Sequence, residues 1–195
     1  MNHLAHALLA GTDPQRVLGS LMGDFVRGAI DPALPEPVGE GIAQHRAIDR
    51  YTDAHPQVVA ARALFAPPFR RYAGILIDIW FDHLLAGDFA RWSAEPLPDF
   101  NARIHRVLAA GGTHLPEGLQ RFAHYLRRND LPLRYRERPM IAQVLAGVGS
   151  RLRRDNPLAA GLDAIAPIEP QLQAAFEAFF PDLMTFARQP RRWRS

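Results

Sequence analysis

Three short stretches within the first 85 residues carry side chains whose types and spacing could do chemistry. The run Gly19-Ser20-Leu21-Met22-Gly23-Asp24-Phe25-Val26-Arg27-Gly28 places a single acid, Asp24, in an apolar, glycine-flanked stretch. Such a carboxylate can ligate a cation or act as a base, or it can simply pair with Arg27 three residues on. In His45-Arg46-Ala47-Ile48-Asp49-Arg50-Tyr51-Thr52-Asp53, His45 and Asp49 are four apart, as are Asp49 and Asp53. On a helix each pair projects from one face. An imidazole and a carboxylate on adjacent turns can share a metal, or the carboxylate can orient the imidazole. A surface ion pair with Arg46 or Arg50 is the plainer alternative.

The third stretch, Ile75-Leu76-Ile77-Asp78-Ile79-Trp80-Phe81-Asp82-His83-Leu84-Leu85, embeds two acids and a histidine among strongly apolar neighbours. Burying an unpaired carboxylate costs several kcal/mol, so these groups must be paired, protonated or bound to a cation. At about 100° per residue Asp78 and Asp82 share a face, whereas His83 points well away from Asp78. Either Asp82 or His83 is then expected to reach a metal, with Asp78 as another ligand or as a partner behind one. Arginines on neighbouring helices could instead pair with the two acids. Together Asp24, His45, Asp49, Asp78, Asp82 and His83 describe a carboxylate-rich histidine site spread over three helices, as helical bundles build them. His3 and His6 can approach it from a first helix, although His6 on an apolar face reads more simply as a hydrogen-bonded core residue. His55, His105, His114 and His124 have no partner at ligand spacing and read as structural.

What must position these groups is an all-α chain. Apolar residues recur at i, i+3, i+4 almost throughout, and no alternating stretch bounded by turn residues reads as a strand. Asn2 can cap a short helix over residues 3–10, and Asp13-Pro14 starts a second that runs to about Arg27. A long helix is predicted over 38–53, broken at His55-Pro56 and resumed to Phe65. Residues 69–86, apolar nearly all round, form a central buried helix. Further helices are predicted over 99–110, 116–129, 139–154 and 169–188. No composition break, repeat or linker appears, so residues 1–195 are expected to form a single compact helical bundle, with 189–195 as a frayed tail.

Composition narrows the chemistry. The 195 residues include no Cys, which excludes disulfides, thiolate metal sites and Cys nucleophiles. Any transition metal must be held by His and carboxylate, a donor set that suits manganese, magnesium or iron. No P-loop, dinucleotide-binding glycine pattern or Gly-x-Ser-x-Gly elbow is present. The absence of a leader and of a long uninterrupted apolar span predicts a cytoplasmic protein without a membrane segment. All 23 basic residues are Arg, and the net charge is +3. Basic residues interspersed with acids, without a binding motif, argue against nucleic acid as a partner. Runs such as Arg134-Tyr135-Arg136 and Arg151-Leu152-Arg153-Arg154 form either a patch for phosphate and carboxylate partners or solvated helix faces.

Nearly end to end, the chain resembles the acyl carrier protein phosphodiesterase family, itself similar to metal-dependent phosphohydrolases of the HD type. The matching pieces are Met1-Asn2-His3-Leu4-Ala5-His6, Gly23-Asp24-Phe25-Val26-Arg27-Gly28, Gly41-Ile42, His45-Arg46-Ala47-Ile48-Asp49 and Thr52-Asp53. Arg70-Arg71, Asp78, Asp82-His83-Leu84, Arg134-Tyr135-Arg136 and Gly149-Ser150-Arg151 follow in order. The resemblance implies an HD-like all-α fold, dependence on a divalent metal, usually manganese, and hydrolysis of the phosphodiester that joins 4′-phosphopantetheine to a serine of holo acyl carrier protein. On this expectation Asp24, His45 and Asp49 are catalytic, and Asp24, His45, Asp78, Asp82 and His83 supply the metal site. Arg27 and Arg46 then face the phosphate, while Arg134, Arg136 and Arg151, with Arg153 and Arg154, steer an acidic carrier protein. An HD-type hydrolase of small nucleotides and a non-catalytic helical binding module are the alternatives.

Overall fold

The computed structural model describes residues 2–112 and 115–189. Among them there is no strand, and helices follow one another from His3 to Ala187. The first is α1 (His3–Leu9). Asp13 then accepts from the amides of Gln15 and Arg16, capping α2 (Pro14–Met22). This helix ends earlier than its apolar pattern predicts. Gly23–Phe25 tightens into a 3₁₀ turn and Val26 is extended, which turns Asp24 out of the helix and Arg27 into an exposed loop. Arg46 holds that loop, donating 2.8 Å hydrogen bonds to the carbonyls of Val26 and Gly28.

The long helix α3 (Glu36–Ala54) lies directly on α2. A Cβ on Gly19 would stand 2.0 Å from the Val38 carbonyl oxygen, and one on Gly41 would stand 2.2 Å from that of Arg16. The two glycines therefore let the helices meet backbone to backbone, bringing Asp24 and His45 within reach of each other. His55 ends α3 and its side chain caps α4 (Pro56–Ala63). After a 3₁₀ turn over Phe69–Tyr72 comes α5 (Ala73–Gly87), the central helix that the sequence predicts. Leu76, Ile77, Trp80, Phe81 and Leu85 of α5 are fully buried.

Next come α6 (Phe89–Trp92), α7 (Leu97–Gly111), α8 (Glu117–Arg128) and α9 (Arg138–Gly149). Of these, α6 and α9 pack on α5, while α7 packs against α2 and α8 against α7. Two final helices, α10 (Gly161–Ile165) and α11 (Glu169–Ala187), close the bundle. Phe81 meets Phe176 and Phe179 edge-on or tilted, and Trp92 stands against Phe176 and Phe180. Neither α6 nor α10 was expected, because helices of four and five residues are too short to show a period.

The helix predicted to reach Arg154 stops at Gly149. Asn156 folds back and donates to the Gly149 carbonyl at 2.9 Å, so Arg151, Arg153 and Arg154 lie in an exposed turn. No helix of the described residues is long and apolar enough to cross a membrane. His114 and residues 190–195 of the expected tail lie outside the described residues.

Candidate active site

Gly23 leaves room for the ring of His45, and the two form the base of the site. A Cβ at this position would lie 2.2 Å from His45 Cγ. Behind the ring, His6 of α1 stacks on His45 with centroids 3.8 Å apart and planes inclined by 19°. Both rings aim Nε2 at Asp49: His6 Nε2 is 3.0 Å from Oδ1 and His45 Nε2 is 3.2 Å from Oδ2. His45 Nε2 is also 3.2 Å from Asp24 Oδ1, so it sits between two carboxylates. Asp24 Oδ2 in turn is 3.9 Å from His3 Nδ1. One nitrogen from His6, one from His45 and one oxygen from Asp49 all lie within 4.8 Å of one another, a spacing that a single cation can span.

The electrostatics divide the histidines. Burial opposes charge on His45, but its hydrogen bonds to Asp24 and Asp49 outweigh that cost and push its pKa up to about 9. Burial dominates at His6 and His3, whose pKa values fall to about 4 and which are neutral at physiological pH. Burial would raise Asp24, yet the hydrogen bond from His45 and the field of His3 bring it down to about 2. Asp49 is lowered still further, against its burial, by His45 and His6. The result is two ionised carboxylates around one protonated imidazole. A divalent cation held by His6, His45 and Asp49 would compete with a proton for His45 Nε2, and this imidazole and carboxylate set fits such an ion.

The acids of α5 separate into two roles. Asp78 lines the same cleft as Asp24, Asp49 and Asp53, a space of about 330 Å³, and burial raises its pKa. Asp53 on the cleft wall is ion-paired with Arg62. Asp82 lies fully buried beneath α1 and accepts from the backbone amides of Leu4 at 2.8 Å and Ala5 at 3.2 Å. It thus satisfies two of the open donors at the start of that helix, whose own Asn2 makes no side-chain cap. His83 turns the other way, as the helical period requires, with its Nδ1 2.7 Å from the Tyr135 carbonyl and its ring against Trp80. The structure therefore gathers Asp24, Asp49 and Asp78 at one cleft with His45 buried behind the first two, puts Asp82 behind α1, and leaves His83 outside the group.

His6 is the cluster member that periodicity undervalued. It is indeed a buried histidine on an apolar helix face. The available signal was His3 three residues earlier, which puts two imidazoles on one face of α1.

Next to the acidic cleft opens a larger groove of about 610 Å³ between α8 and α9. The two spaces share Asn2, Asp24 and Val148. Of the arginines read as partner-facing, Arg151 lines the groove and Arg27 and Arg136 are exposed. Arg134 is paired with Glu137 at 2.9 Å, and Arg46 is committed to the loop carbonyls already described. His55, His105 and His124 stand apart from the cluster: His55 contacts Asp182 at 3.4 Å, and His124 contacts Arg127 at 3.2 Å.

Residues 1–183 match the family model described as acyl carrier protein phosphodiesterase. The chain belongs to the acyl carrier protein phosphodiesterase family. Similar proteins carrying that name include one from Enterobacter sp. (strain 638), 37% identical over 192 residues, covering 96% of this chain and 98% of the relative. Another, from Photorhabdus laumondii subsp. laumondii, is 36% identical over 187 residues, covering 94% and 93%. One from Yersinia pestis is 34% identical over 189 residues, covering 96% and 98%. No solved structure matches the chain. Within the acyl carrier protein phosphodiesterase family, then, this chain builds its cluster from α1, α3 and the turn after α2, with α5 supplying Asp78 and the support under α1.

Proposed function

We propose that the chain is a metal-dependent phosphodiesterase that releases 4′-phosphopantetheine from holo acyl carrier protein, leaving apo carrier protein. The observation that carries this reading is the cluster of His6, His45 and Asp49, buried behind Asp24, the acid that lines both the acidic cleft and the larger groove. His6, His45 and Asp49 would hold a divalent cation with Asp24 beside them, and manganese suits this hard, sulfur-free set. Such an ion supplies Lewis-acid polarisation of a phosphoryl oxygen and acidifies water at neutral pH.

The chain's own groups do the rest. Water attacks phosphorus, the bond from phosphorus to the seryl oxygen breaks, and that oxygen leaves with a proton. Asp24, ionised and half exposed at the mouth, orients the attacking water. Asp78, held above the ordinary carboxylate range by burial in the same cleft, is suited to carry the proton to the leaving oxygen. Arg136 and Arg151 present positive charge for a carrier protein acidic around its modified serine, and the reaction belongs in the cytoplasm with that substrate.

Intact-mass spectrometry of holo acyl carrier protein incubated with the enzyme and manganese tests the reading, with a chelated sample as control. The expected result is loss of one phosphopantetheine mass only where metal is present. An unchanged carrier protein, together with turnover of free nucleotides, would move the assignment to a small-nucleotide hydrolase.

A further inference from the structure

The groove between α8 and α9 has features that the metal cluster does not explain. One wall is a run of aromatic rings: His3 lies 4.2 Å from Phe122, which is 5.9 Å from Phe25 and 6.3 Å from Tyr125. Phe25, Phe122 and Tyr125 are only partly buried, so their open sides face the groove. The opposite wall is aliphatic, made by Val144 and Val148 of α9, with Gly147 between them. A Cβ at Gly147 would meet nothing within 4 Å, so this glycine keeps open a space that a side chain could fill. The polar part of the lining is smaller: Asn2, His3 and Asp24 at the cleft end, and Arg121, Ser150 and Arg151 elsewhere along it.

We infer that this groove is the binding site for the pantetheine arm. The assignment rests on the phosphodiesterase reading above. The arm is a narrow chain with a gem-dimethyl group and two amides, attached at one end to the phosphate. An occupant with its phosphate at Asp24 and the cluster must run along whatever channel leaves that point, and this groove shares Asn2, Asp24 and Val148 with the cleft. Its volume, about 610 Å³, lies within the range of pockets that enclose small ligands. Aromatic and aliphatic walls cover methyl and methylene groups, while Asn2 and Ser150 can satisfy the amides and the charged groups, Asp24 and the two arginines, stand at the edges of the apolar stretch. Specificity for the prosthetic group over other phosphodiesters follows from this shape, because binding of the non-reacting arm places phosphorus at the cluster.

Substituting Gly147 tests the assignment. It lies inside α9 with helical backbone and lines the groove, so an added Cβ gains helix propensity and meets no other atom within 4 Å. A series Gly147→Ala, Gly147→Met and Gly147→Phe should raise KM for holo acyl carrier protein in order of side-chain volume, by about tenfold or more at Phe. Calorimetric binding of free 4′-phosphopantetheine should weaken in the same order. Far-ultraviolet circular dichroism and thermal midpoints report whether each variant folds, and Gly147→Met keeps the test usable if Gly147→Phe does not. Wild-type turnover with a flat series in both KM and binding overturns the groove assignment and leaves the phosphodiesterase reading standing. A wild type that leaves holo carrier protein intact overturns that reading and the assignment with it.

Discussion

Replacing Gly23 with Ala adds one methyl group at the most crowded point of the candidate site. The backbone there, φ −50° and ψ −42°, suits alanine, so the perturbation is steric rather than conformational. The new Cβ would stand 2.2 Å from His45 Cγ, whereas ordinary contact begins at 3.4 Å, so ring or backbone must retreat by about 1.2 Å. His45 contacts both Asp24 and Asp49 at 3.2 Å, and a retreat of that size takes the ring out of hydrogen-bond range. Overpacking costs about 1–3 kcal/mol. Separating the charged pair adds up to about 2 kcal/mol, discounted because both carboxylates are more than a third exposed. Alanine's better helix propensity returns up to about 1 kcal/mol, leaving a net loss of about 0–5 kcal/mol, centred on about 2–3 kcal/mol. Turnover should fall by about a hundredfold, the usual consequence of misplacing a catalytic group by about 1 Å. Urea unfolding and the carrier-protein mass assay measure the two effects. Gly39→Ala, whose Cβ would meet only Ile30 at 3.6 Å, is the matched control and should be neutral or slightly stabilising. A Gly23→Ala protein with wild-type stability and turnover within about threefold of wild type would refute the placement of His45.

Four further outcomes are expected. Asp82→Ala leaves the buried Leu4 and Ala5 amides without an acceptor and should cost about 2–4 kcal/mol in urea unfolding, with Asp82→Asn intermediate; a neutral Asp82→Ala would remove its support role. In the metal-free protein, the stabilisation from His45, raised from 6.5 to about 9, is complete below the lower value and is lost as pH rises through the higher one, so the thermal midpoint should fall from pH 7 to 9. That from Asp24, lowered from 3.8 to about 2, is present above 3.8 and disappears as pH falls through about 2. Because a metal must displace the His45 proton, adding manganese in weakly buffered solution at about pH 7.5 should release about one proton, and no release would place the metal elsewhere. Arg136→Glu combined with Arg151→Glu should raise KM for the carrier protein severalfold and flatten its salt dependence, whereas an unchanged salt response would assign docking to another face.

The sequence made much of this site legible because its helices are ordered by strong local signals. Asp13-Pro14 and His55-Pro56 start α2 and α4 where capping rules put them, and the anomaly of acids within apolar α5 singled out Asp78 and Asp82. Pairwise tertiary choices were not legible. Nothing in the spacing could say that Asp82 would meet the amides of α1 rather than a metal, because both options satisfy a buried carboxylate equally well. His6 and Asp49 are 43 residues apart, and tertiary contacts such as the backbone approach at Gly19 and Gly41 and the Arg16–Glu40 pair fix how α2 sits on α3 between them. Arg46 looked available for phosphate, yet the loop that α2 becomes after Met22 supplies two carbonyls that take its guanidinium. The groove was invisible because aromatic and aliphatic residues on α8 and α9 follow the same period whether they face a core or a channel.

The support beneath α1 also dictates when the site can exist during synthesis. His6 is made well before the group that supports its helix, since the amides of Leu4 and Ala5 wait for Asp82, 78 and 77 residues later. The other end of α1 waits longer still. Gln44 of α3 joins the Leu9 carbonyl to that of Ala187, 143 residues beyond Gln44 itself. A nascent chain therefore emerges carrying its histidines without the scaffold that aims them. Prematurely ended chains, or chains nicked before α11, should have no organised cluster with which to strip carrier proteins of their prosthetic group.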